Sequence, residues 1–232
     1  MERYRLGVAR VMDDPDEIAA VFRRGALDGL PVEEGLGDTW VVTGVESSQL
    51  LPAWRAARAA VARTGRWPVL TMADEQWLDA ETEQVDALDY AARAVDPWTV
   101  YRWSGHDSQI EPADLRLWLP GFLSEAQVVL LPTSTQWLAP AWLNYFGATE
   151  KHPGREGLAA AIRQWERQWG AELVASWGTM LQFVVARQPA LGEQAWQLAL
   201  QLLAVGGSLQ APSWELALAV TRSDAWFLHD RP

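Results

Sequence analysis

The clearest pattern of apolar and polar positions lies in the stretch 154–170. Leu158, Ile162, Trp165 and Trp169 follow one another at intervals of four, three and four residues. This spacing places them on one face of an α-helix. Gly170 comes next, and glycine often ends a helix because it adopts the left-handed conformation without a Cβ clash. The pattern therefore predicts an amphipathic helix over residues 154–169 that buries this face.

Two extended apolar runs follow this helix, over residues 172–176 and 180–186. Trp177 and Gly178 separate them, and a short connection that contains glycine is typical of a β-hairpin. The stretch 154–186 is thus predicted to form a helix–strand–turn–strand unit. We expect the other elements to pack around it.

The rest of the chain alternates between helical and extended patterns. Asp14 and Pro15 indicate a helix start, while glycine, proline and acids favour a loop over residues 29–37. A strand, a helix and a strand within about 30 residues are typical of a βαβ unit with a right-handed crossover. The helix at 191–205 is apolar on nearly all sides, so we expect it to be deeply covered. The predicted segments are strands at 40–45, 67–71, 127–131 and 225–229 and helices at 52–63, 84–95, 135–145, 191–205 and 214–221.

These elements predict an α+β fold, in which a mixed β-sheet carries flanking helices. We expect an N-terminal α/β part over residues 1–72, an acidic connecting region over 73–124 and a C-terminal α+β domain over 125–232. Prolines and glycines are frequent in the second half of the connecting region, which favours loops there, with one helical turn at 113–118.

The composition excludes several classes of site. The 232 residues include no cysteine, so disulfides, thiolate catalysis and cysteine-ligated metal centres are ruled out. No apolar run approaches the roughly 18 residues of a membrane span, and the first residues lack the apolar core of a secretory signal. We therefore expect a cytoplasmic protein. Of the fifteen tryptophans, most are expected in the core and some at a groove or rim, because the indole N–H needs a partner.

The formal net charge is −11, which argues against a nucleic acid or an anionic membrane as partner. Residues 74–114 alone contain eleven acids and two arginines, a charge of −9, and the rest of the chain carries −2. A solvated linker is one interpretation of this segment. A docking surface for a basic protein is the other, because clustered like charge selects cationic partners and speeds association. The acids are Asp74, Glu75, Asp79, Glu81, Glu83, Asp86, Asp89, Asp96, Asp107, Glu111 and Asp114.

Few residues are candidates for catalysis. The three histidines, His106, His152 and His229, have no metal-ligand spacing, and the sequence has no nucleotide-binding or serine-hydrolase motif. We therefore assign no catalytic residue, no metal and no cofactor. Glu172 is a candidate buried acid, and the alternatives are an exposed carboxylate or one paired with an arginine such as Arg163. His229 and Asp230 are a candidate acid–base pair or part of a frayed C-terminal tail.

Several stretches resemble those of one family. They are Thr-Gly-Arg-Trp-Pro-Val-Leu at 64–70, residues 128–132 followed by Trp137, Asn144 and Tyr145, the junction 165–173, and Trp226, Phe227 and Asp230. Together they resemble the bacterial proteins grouped as domain of unknown function 4253, from residue 50 to the C-terminus, and the junction at 165–173 is the most specific part. The family has no established activity, so the resemblance implies a fold more than a function.

The chain also departs from the pattern of this family. Members usually carry a Cys-Pro-Asp stretch after the helix equivalent to residues 191–205. The corresponding residues here lie near 204–208 and include none of the three. If that stretch forms the family's site, this chain has lost it.

These observations favour a non-catalytic protein-binding module, of the kind represented by immunity-like proteins that neutralise a basic toxin or nuclease. Its expected binding residues are Asp74, Glu75, Asp79, Glu81, Glu83, Asp86, Asp89, Trp137 and Tyr145. An enzyme of unknown reaction is the first alternative, with a site between the sheet and Trp137, Tyr145, Glu172, His229 and Asp230. A structural scaffold is the second. The oligomeric state is left open.

Overall fold

The computed structural model describes residues 10–73, 75, 77–101, 126–148, 153–209 and 211–231. Within these ranges the strands are β1 (Val32–Glu34), β2 (Trp40–Val42), β3 (Trp67–Met72), β4 (Ala126–Leu131), β5 (Glu172–Trp177), β6 (Met180–Val184) and β7 (Ala225–His229). The helices are α1 (Pro15–Val21), α2 (Leu50–Thr64), α3 (Thr82–Ala94), α4 (Pro97–Val100), α5 (Gly154–Trp169), α6 (Glu193–Val205) and α7 (Ser213–Val220). Short 3-10 helices occupy Ser47–Gln49, Gln136–Ala141 and Phe146–Ala148.

The seven strands of the described part of the chain form one mixed sheet in the order β1–β2–β4–β3–β5–β6–β7. Strands β3 and β5 pair in parallel and the other neighbours pair antiparallel. With its flanking helices, the sheet confirms the predicted α+β class. No helix among the described residues is long and apolar enough to cross a membrane.

The helix–strand–turn–strand unit is confirmed as the centre of the fold. Gly170 ends α5 in the left-handed conformation, with φ of 61°, and β5 and β6 follow as an antiparallel pair. The predicted helix face is buried, and Trp165 packs edge-on against Phe183 of β6 and Trp226 of β7. The apolar periodicity of α5 thus fixes how this helix lies against the sheet.

Two strands differ from the prediction. β1 lies within the stretch 29–37 that its glycines and acids predicted to be a loop, and it pairs with β2 at the edge of the sheet. Three residues with one apolar position are too short to show a strand period. β2 and β3 are not neighbours, because β4 lies between them and pairs antiparallel with both. They therefore run parallel to each other and are joined by α2, so the predicted βαβ unit is present with β4 inserted between its two strands.

Helix α6 is less covered than its composition predicted. Ala195, Leu198 and Leu202 are buried, but Trp196 is 39% exposed and Leu191, which precedes the helix, is 72% exposed. The helix packs against α7 and β7, and these neighbours leave its opposite side uncovered. An apolar composition shows that a helix is hydrophobic but not how many elements surround it.

Most of the described tryptophans lie in the core, as predicted: eight of the thirteen are buried and two are exposed. Trp54, Trp67, Trp165 and Trp226 are among the largest fully buried side chains. Three of these indole N–H groups donate hydrogen bonds, from Trp54 to Pro68, from Trp67 to Leu173 and from Trp165 to Gln201.

The sheet has two ends that matter for the site. Trp177, Met180 and His229 are register partners beside the β5–β6 turn, and we call this the turn end. Glu172 and Val184 are partners at the far end. The two ends are five residues apart along β5, or about 16 Å at the usual rise per residue.

Candidate functional site

Four carboxylates of the acidic segment lie exposed at or just before the start of α3. They are Asp79, Glu81, Glu83 and Asp86, which we call the acidic face. No hydrogen bond or ion pair joins any of their carboxylates to another described residue. Asp74, Asp107, Glu111 and Asp114 fall outside the described residues. The acidic face is therefore exposed without side-chain partners among the described residues, and its Glu81 and Glu83 lie at the N-terminus of α3, where negative charge complements the helix dipole.

Glu75 and Asp89 have structural contacts instead. An oxygen of Glu75 accepts a hydrogen bond from the backbone N–H of Gly178 in the β5–β6 turn, at 2.9 Å. Asp89 accepts hydrogen bonds from Arg93 Nε at 2.9 Å and from Trp137 Nε1 at 3.1 Å. Burial would raise the pKa of Asp89, but these two hydrogen bonds and the nearby arginine charges outweigh it and hold the pKa below its usual value. Both carboxylates are thus already engaged within the fold.

Trp137 is also held in place. Its half-buried ring has two guanidinium groups within cation–π distance, with Arg93 at 5.8 Å and Arg163 at 5.6 Å from the ring centroid. Such cation–π contacts, together with the hydrogen bond to Asp89, fix the ring between α3 and α5. The structure thus gives Trp137 a role in packing these helices together.

A cleft of about 960 Å³ separates the first turns of α3 and α5. Glu81 and Glu83 of the acidic face line one side, and Arg155 and Glu156 of α5 line the other. Three carboxylates and one guanidinium make this lining net negative. The acidic face therefore continues into a concave surface.

Tyr145 forms part of the wall of this cleft. Its side chain is only 2% exposed, and its hydroxyl has no hydrogen-bond partner among the described residues. A Cβ atom at Gly147 would come within 2.5 Å of the tyrosine ring, so glycine is required there for the ring to fit. Burial raises the pKa of Tyr145 well above its usual value, and the charge of Asp230 adds to the effect. Tyr145 is therefore a neutral phenol near neutral pH.

Tyr101 is a second buried phenol in the same region. Its ring lies against the first turn of α5, 3.3 Å from where a Cβ of Gly157 would stand. Within the described part of the chain its hydroxyl also has no hydrogen-bond partner. Burial and the charge of Asp230 raise its pKa. Asp230 thus contributes to the raised pKa of both phenols. Tyr145 lies beside the turn end, because the backbone N–H of the next residue, Phe146, donates to the carbonyl of Gly178 at 2.9 Å. No sequence pattern singled out Tyr101, because a lone aromatic residue before a predicted loop has no periodicity.

Glu172 lies at the far end, away from this group. It pairs with Arg58 of α2, whose Nη2 and Nε atoms lie 2.6 Å and 3.0 Å from one Glu172 oxygen. The arginine is thus Arg58 and not Arg163. The half-buried Glu166 is nearby. Burial raises the pKa of Glu166, and the negative charge of Glu172 raises it further. A hydrogen bond from Gln136 and the positive charge of Arg58 act in the opposite direction.

The residues proposed for an enzyme site are therefore not brought together. Trp137 packs between helices, and Glu172 is at the far end. Only Tyr145, His229 and Asp230 share the turn end. A single pocket that collects all five side chains is absent from the described structure.

His229 and Asp230 do not form a catalytic triad with the neighbouring Ser208. The Ser208 hydroxyl lies 3.5 Å from Asp230 Oδ1, and His229 Nε2 accepts a hydrogen bond from Arg231 Nε at 3.0 Å. Burial lowers the pKa of His229, and the Arg231 charge lowers it further. The imidazole therefore contacts a cation and not the hydroxyl that it would need to activate.

No group of three or more metal-ligating side chains exists within the described ranges. His106 and His152 lie outside those ranges. The absence of a metal stays a prediction for the whole chain.

Comparison with known proteins gives one match. Residues 127–230 match the family model Domain of unknown function (DUF4253), which confirms the resemblance over this range. The segment 50–126, which we included in the resemblance, lies outside the match. No curated protein and no solved structure matches the chain.

The matched range contains α5, the β5–β6 hairpin and β7, together with Tyr145 and Asp230. The stretch 204–208, where the resemblance implied Cys-Pro-Asp, also lies in it. The backbone N–H of Ser208 donates to the β7 carbonyl of His229 at 2.9 Å, so this stretch lies at the turn end. The acidic face and Tyr101 precede the match.

Proposed function

We propose that this protein is a non-catalytic binding module of the bacterial cytoplasm that recognises a basic partner protein through its acidic face. The observation that carries the proposal is the exposure of Asp79, Glu81, Glu83 and Asp86, with no partner among the described residues. Two of these carboxylates also line the cleft. A basic toxin or nuclease, as bound by immunity-like proteins, is a partner of the proposed kind.

Clustered like charge has a free-energy cost in the unbound protein. Four like charges within eight residues repel one another in the free protein, and no described cation forms an ion pair with any of them. A basic partner relieves this repulsion and is drawn to the surface over distances of about a Debye length. Such complementarity affects the association rate more than the final affinity.

The experiment compares the wild type with a variant in which all four residues of the acidic face are changed to lysine. The partner is captured from the native host with the wild type, and association rates are then measured at low and high salt. We expect the wild-type rate to fall steeply with salt, because the Debye length shrinks from about 10 Å at 0.1 M to about 3 Å at 1 M. We expect the variant to associate slowly at every salt concentration.

A matched control separates the acidic face from the net charge. Glu33, Glu34, Glu46 and Asp224 are also exposed, and their carboxylates have no partner among the described residues. Changing these four residues to lysine alters the net charge by the same amount as the acidic-face variant does. We expect this control variant to associate with the partner at a rate close to that of the wild type. If both lysine variants associate at the same rate, or if the acidic-face variant equals the wild type, the proposal is wrong.

An enzyme is the second candidate, and one observation favours it. Two buried phenols have no hydrogen-bond partner in the described structure, the charge of Asp230 helps to raise the pKa of both, and one of them lines a cleft. Buried polar groups of this kind are often found where a substrate supplies the missing partner. Failure of the charge-reversal experiment would place this candidate first, with Tyr145 and Asp230 as its residues. No observation specifically favours a structural scaffold.

A further inference from the structure

The acidic face and the cleft leave the surface of α6 and α7 without an assigned role. Seven large hydrophobic side chains are exposed in the described part of the chain, and four of them lie on these two helices or just before α6. They are Leu191, Trp196, Trp214 and Leu218, which we call the apolar face. We propose that this face is the interface of a homodimer, in which the apolar faces of two copies pack together about a twofold axis.

α6 and α7 lie antiparallel beside each other. α6 begins soon after β6 leaves the far end of the sheet and ends at the turn end, where the N–H of Ser208 donates to the carbonyl of His229. α7 runs back, because the residues after it return to the far end, where the N–H of Val185 donates to the carbonyl of Asp224 at 2.8 Å. The two helices pack against each other, so the first turns of α6 lie beside the last turns of α7. The members of the apolar face therefore belong to one surface.

Two tryptophans give this face the character of an interface. Trp196 is 39% exposed and Trp214 is 56% exposed, although a large indole ring is usually well covered in a folded monomer. Leu218 follows Trp214 by four residues, so the two side chains share one side of α7. The half-buried Leu200 follows Trp196 by four residues on α6 in the same way. Apolar surface of this kind marks interaction sites, and tryptophan is among the residues that contribute most to interfaces.

The charge of this segment identifies the partner as a second copy. Residues 188–221 include two charged residues, Glu193 and Glu215, and Arg187 and Arg222 flank them. Residues 187–222 are therefore neutral overall, and the net charge of −11 lies entirely in the rest of the chain. Two copies that meet at the apolar face keep their negative regions apart, whereas contact between two acidic faces would bring like charges together. An uncharged apolar face is also complementary to itself, which a twofold interface requires.

The size of the face sets the expected affinity. α6 has 13 residues and α7 has 8, so the two helices side by side present roughly 300–400 Å² in outline. Standard interfaces bury about 800 Å² of accessible surface on each partner, so this interface belongs at the small end of the range. We therefore expect a reversible dimer with a dissociation constant between about 1 and 100 µM.

Sedimentation velocity of the wild-type protein between about 1 and 300 µM is the first measurement. We expect monomer at the lowest concentration and dimer as the main species at the highest. A chain that stays monomeric over the whole range overturns the proposal. Growth beyond the dimer also overturns it, because a twofold interface closes once two copies have met.

Trp214→Glu tests the face itself, since a twofold dimer would receive the new charge twice. We expect its dissociation constant to rise at least about tenfold. Tyr90→Glu is the matched control, because Tyr90 is 74% exposed on α3 and the change in net charge is the same. The control should change the dissociation constant by less than about threefold. The proposal is wrong if Trp214→Glu dimerises like the wild type, or if Tyr90→Glu weakens the dimer equally.

Denaturant melts at concentrations below the dissociation constant show whether the variants are folded. If Trp214→Glu fails to fold, Trp214→Ala repeats the test, because it removes the ring without adding a charge. Its dissociation constant should also rise at least about tenfold, and a value equal to that of the wild type would overturn the proposal.

Salt separates this interface from the acidic face. Raising the salt concentration screens the repulsion between two negatively charged copies and leaves the apolar contact in place, so the dimer should keep its affinity or become tighter. Association of a basic partner with the acidic face should instead become slower. A dimer that salt weakens would be held by ion pairs, and the proposal would be wrong. The two proposals use different surfaces, so either one can fail while the other stands.

A lipid surface and a different protein are the alternative occupants of the apolar face. Sedimentation with neutral phosphatidylcholine vesicles tests the first of these. If the chain alone stays monomeric but binds the vesicles, and Trp214→Glu abolishes that binding, the face belongs to a lipid surface and the homodimer is wrong. If the chain alone stays monomeric and Trp214→Glu instead abolishes binding of the captured partner protein, the face belongs to that partner, and the homodimer is again wrong. We expect dimers without vesicles or partner, and no binding of the vesicles.

Discussion

Tryptophan residues have two different environments in this protein. Trp165 is fully buried, with ring contacts to Phe183 and Trp226 and an indole N–H bonded to Gln201. Trp214 of α7 is 56% exposed. The same residue type therefore lies in the core at one position and on the surface at the other. Replacing each of the two tryptophans by alanine should change the free energy of unfolding by different amounts.

Trp165→Ala should lower the free energy of unfolding by about 3–5 kcal/mol, because it removes a large ring from a packed site. Trp214→Ala should lower it by less than about 1 kcal/mol, as for most surface changes. Denaturant melts of both variants make the comparison. A loss below about 1 kcal/mol for Trp165→Ala would contradict the packing described here.

Glu166 shows how burial and charge together set the behaviour of one carboxylate. Burial raises its pKa in the folded protein above the value in the unfolded chain. Its contribution to stability is then complete below the unfolded pKa and is lost as the pH rises through the folded pKa. Stability associated with Glu166 should therefore decrease from mildly acidic to neutral pH.

Glu166→Gln removes this titration, so we expect the stability of the variant relative to the wild type to increase between about pH 4 and pH 7. Denaturant melts across this range provide the measurement. Glu46→Gln, which replaces an exposed carboxylate, is measured alongside as the control for loss of one negative charge. A pH dependence of Glu166→Gln no larger than that of Glu46→Gln would show that the pKa of Glu166 is not raised.

At the scale of elements, the junction between α5 and β5 organises the C-terminal half. Gly170 ends the helix, and the buried Gln136 then holds the start of the strand. The Gln136 amide donates to the carbonyl of Ala171 at 2.9 Å and accepts from the N–H of Leu173 at 2.7 Å. The chain thus turns from helix to strand with its backbone groups satisfied by a residue 35 positions earlier.

Gly170→Ala should destabilise the protein for two reasons. The alanine would have to adopt φ of 61°, and its Cβ would stand 2.9 Å from the Cβ of Ala186. Gly29 also has a positive φ, but no atom lies within 4 Å of its Cβ position. Both variants should pay the conformational cost of roughly 1–2 kcal/mol, and Gly170→Ala should lose more. Equal losses in denaturant melts would show that Ala186 moves aside.

At the scale of the whole molecule, one sheet joins the parts that precede and follow the acidic region. β3 comes before this region and lies between β4 and β5, which come after it. The predicted boundaries at residues 72 and 125 therefore separate stretches of sequence, but strands from both sides of the acidic region belong to the same sheet. The negative charge of the protein is concentrated in one segment of the chain. The exposed carboxylates of this segment that form the acidic face lie at the start of α3, beside a cleft that α5 also lines.

The sequence by itself determined the local elements and their character. The spacing of Leu158, Ile162 and Trp165 predicted α5 and its buried face, Gly170 predicted its end, and β7 was predicted residue for residue. The concentration of charge in the acidic segment was also evident. These properties depend on neighbours along the chain, where backbone geometry and side-chain period act directly.

Only the tertiary structure decided which distant residues meet. It placed β4 between β2 and β3, paired Glu172 with Arg58, engaged Asp89 and Trp137 with each other, and put Tyr101 and Tyr145 near Asp230. It also showed that the carboxylates of the acidic face are exposed, whereas the carboxylate of Asp89 accepts hydrogen bonds from Arg93 and Trp137. Pairing between strands and contacts between side chains depend on how the whole chain packs, and no local period encodes the burial of a single phenol or carboxylate.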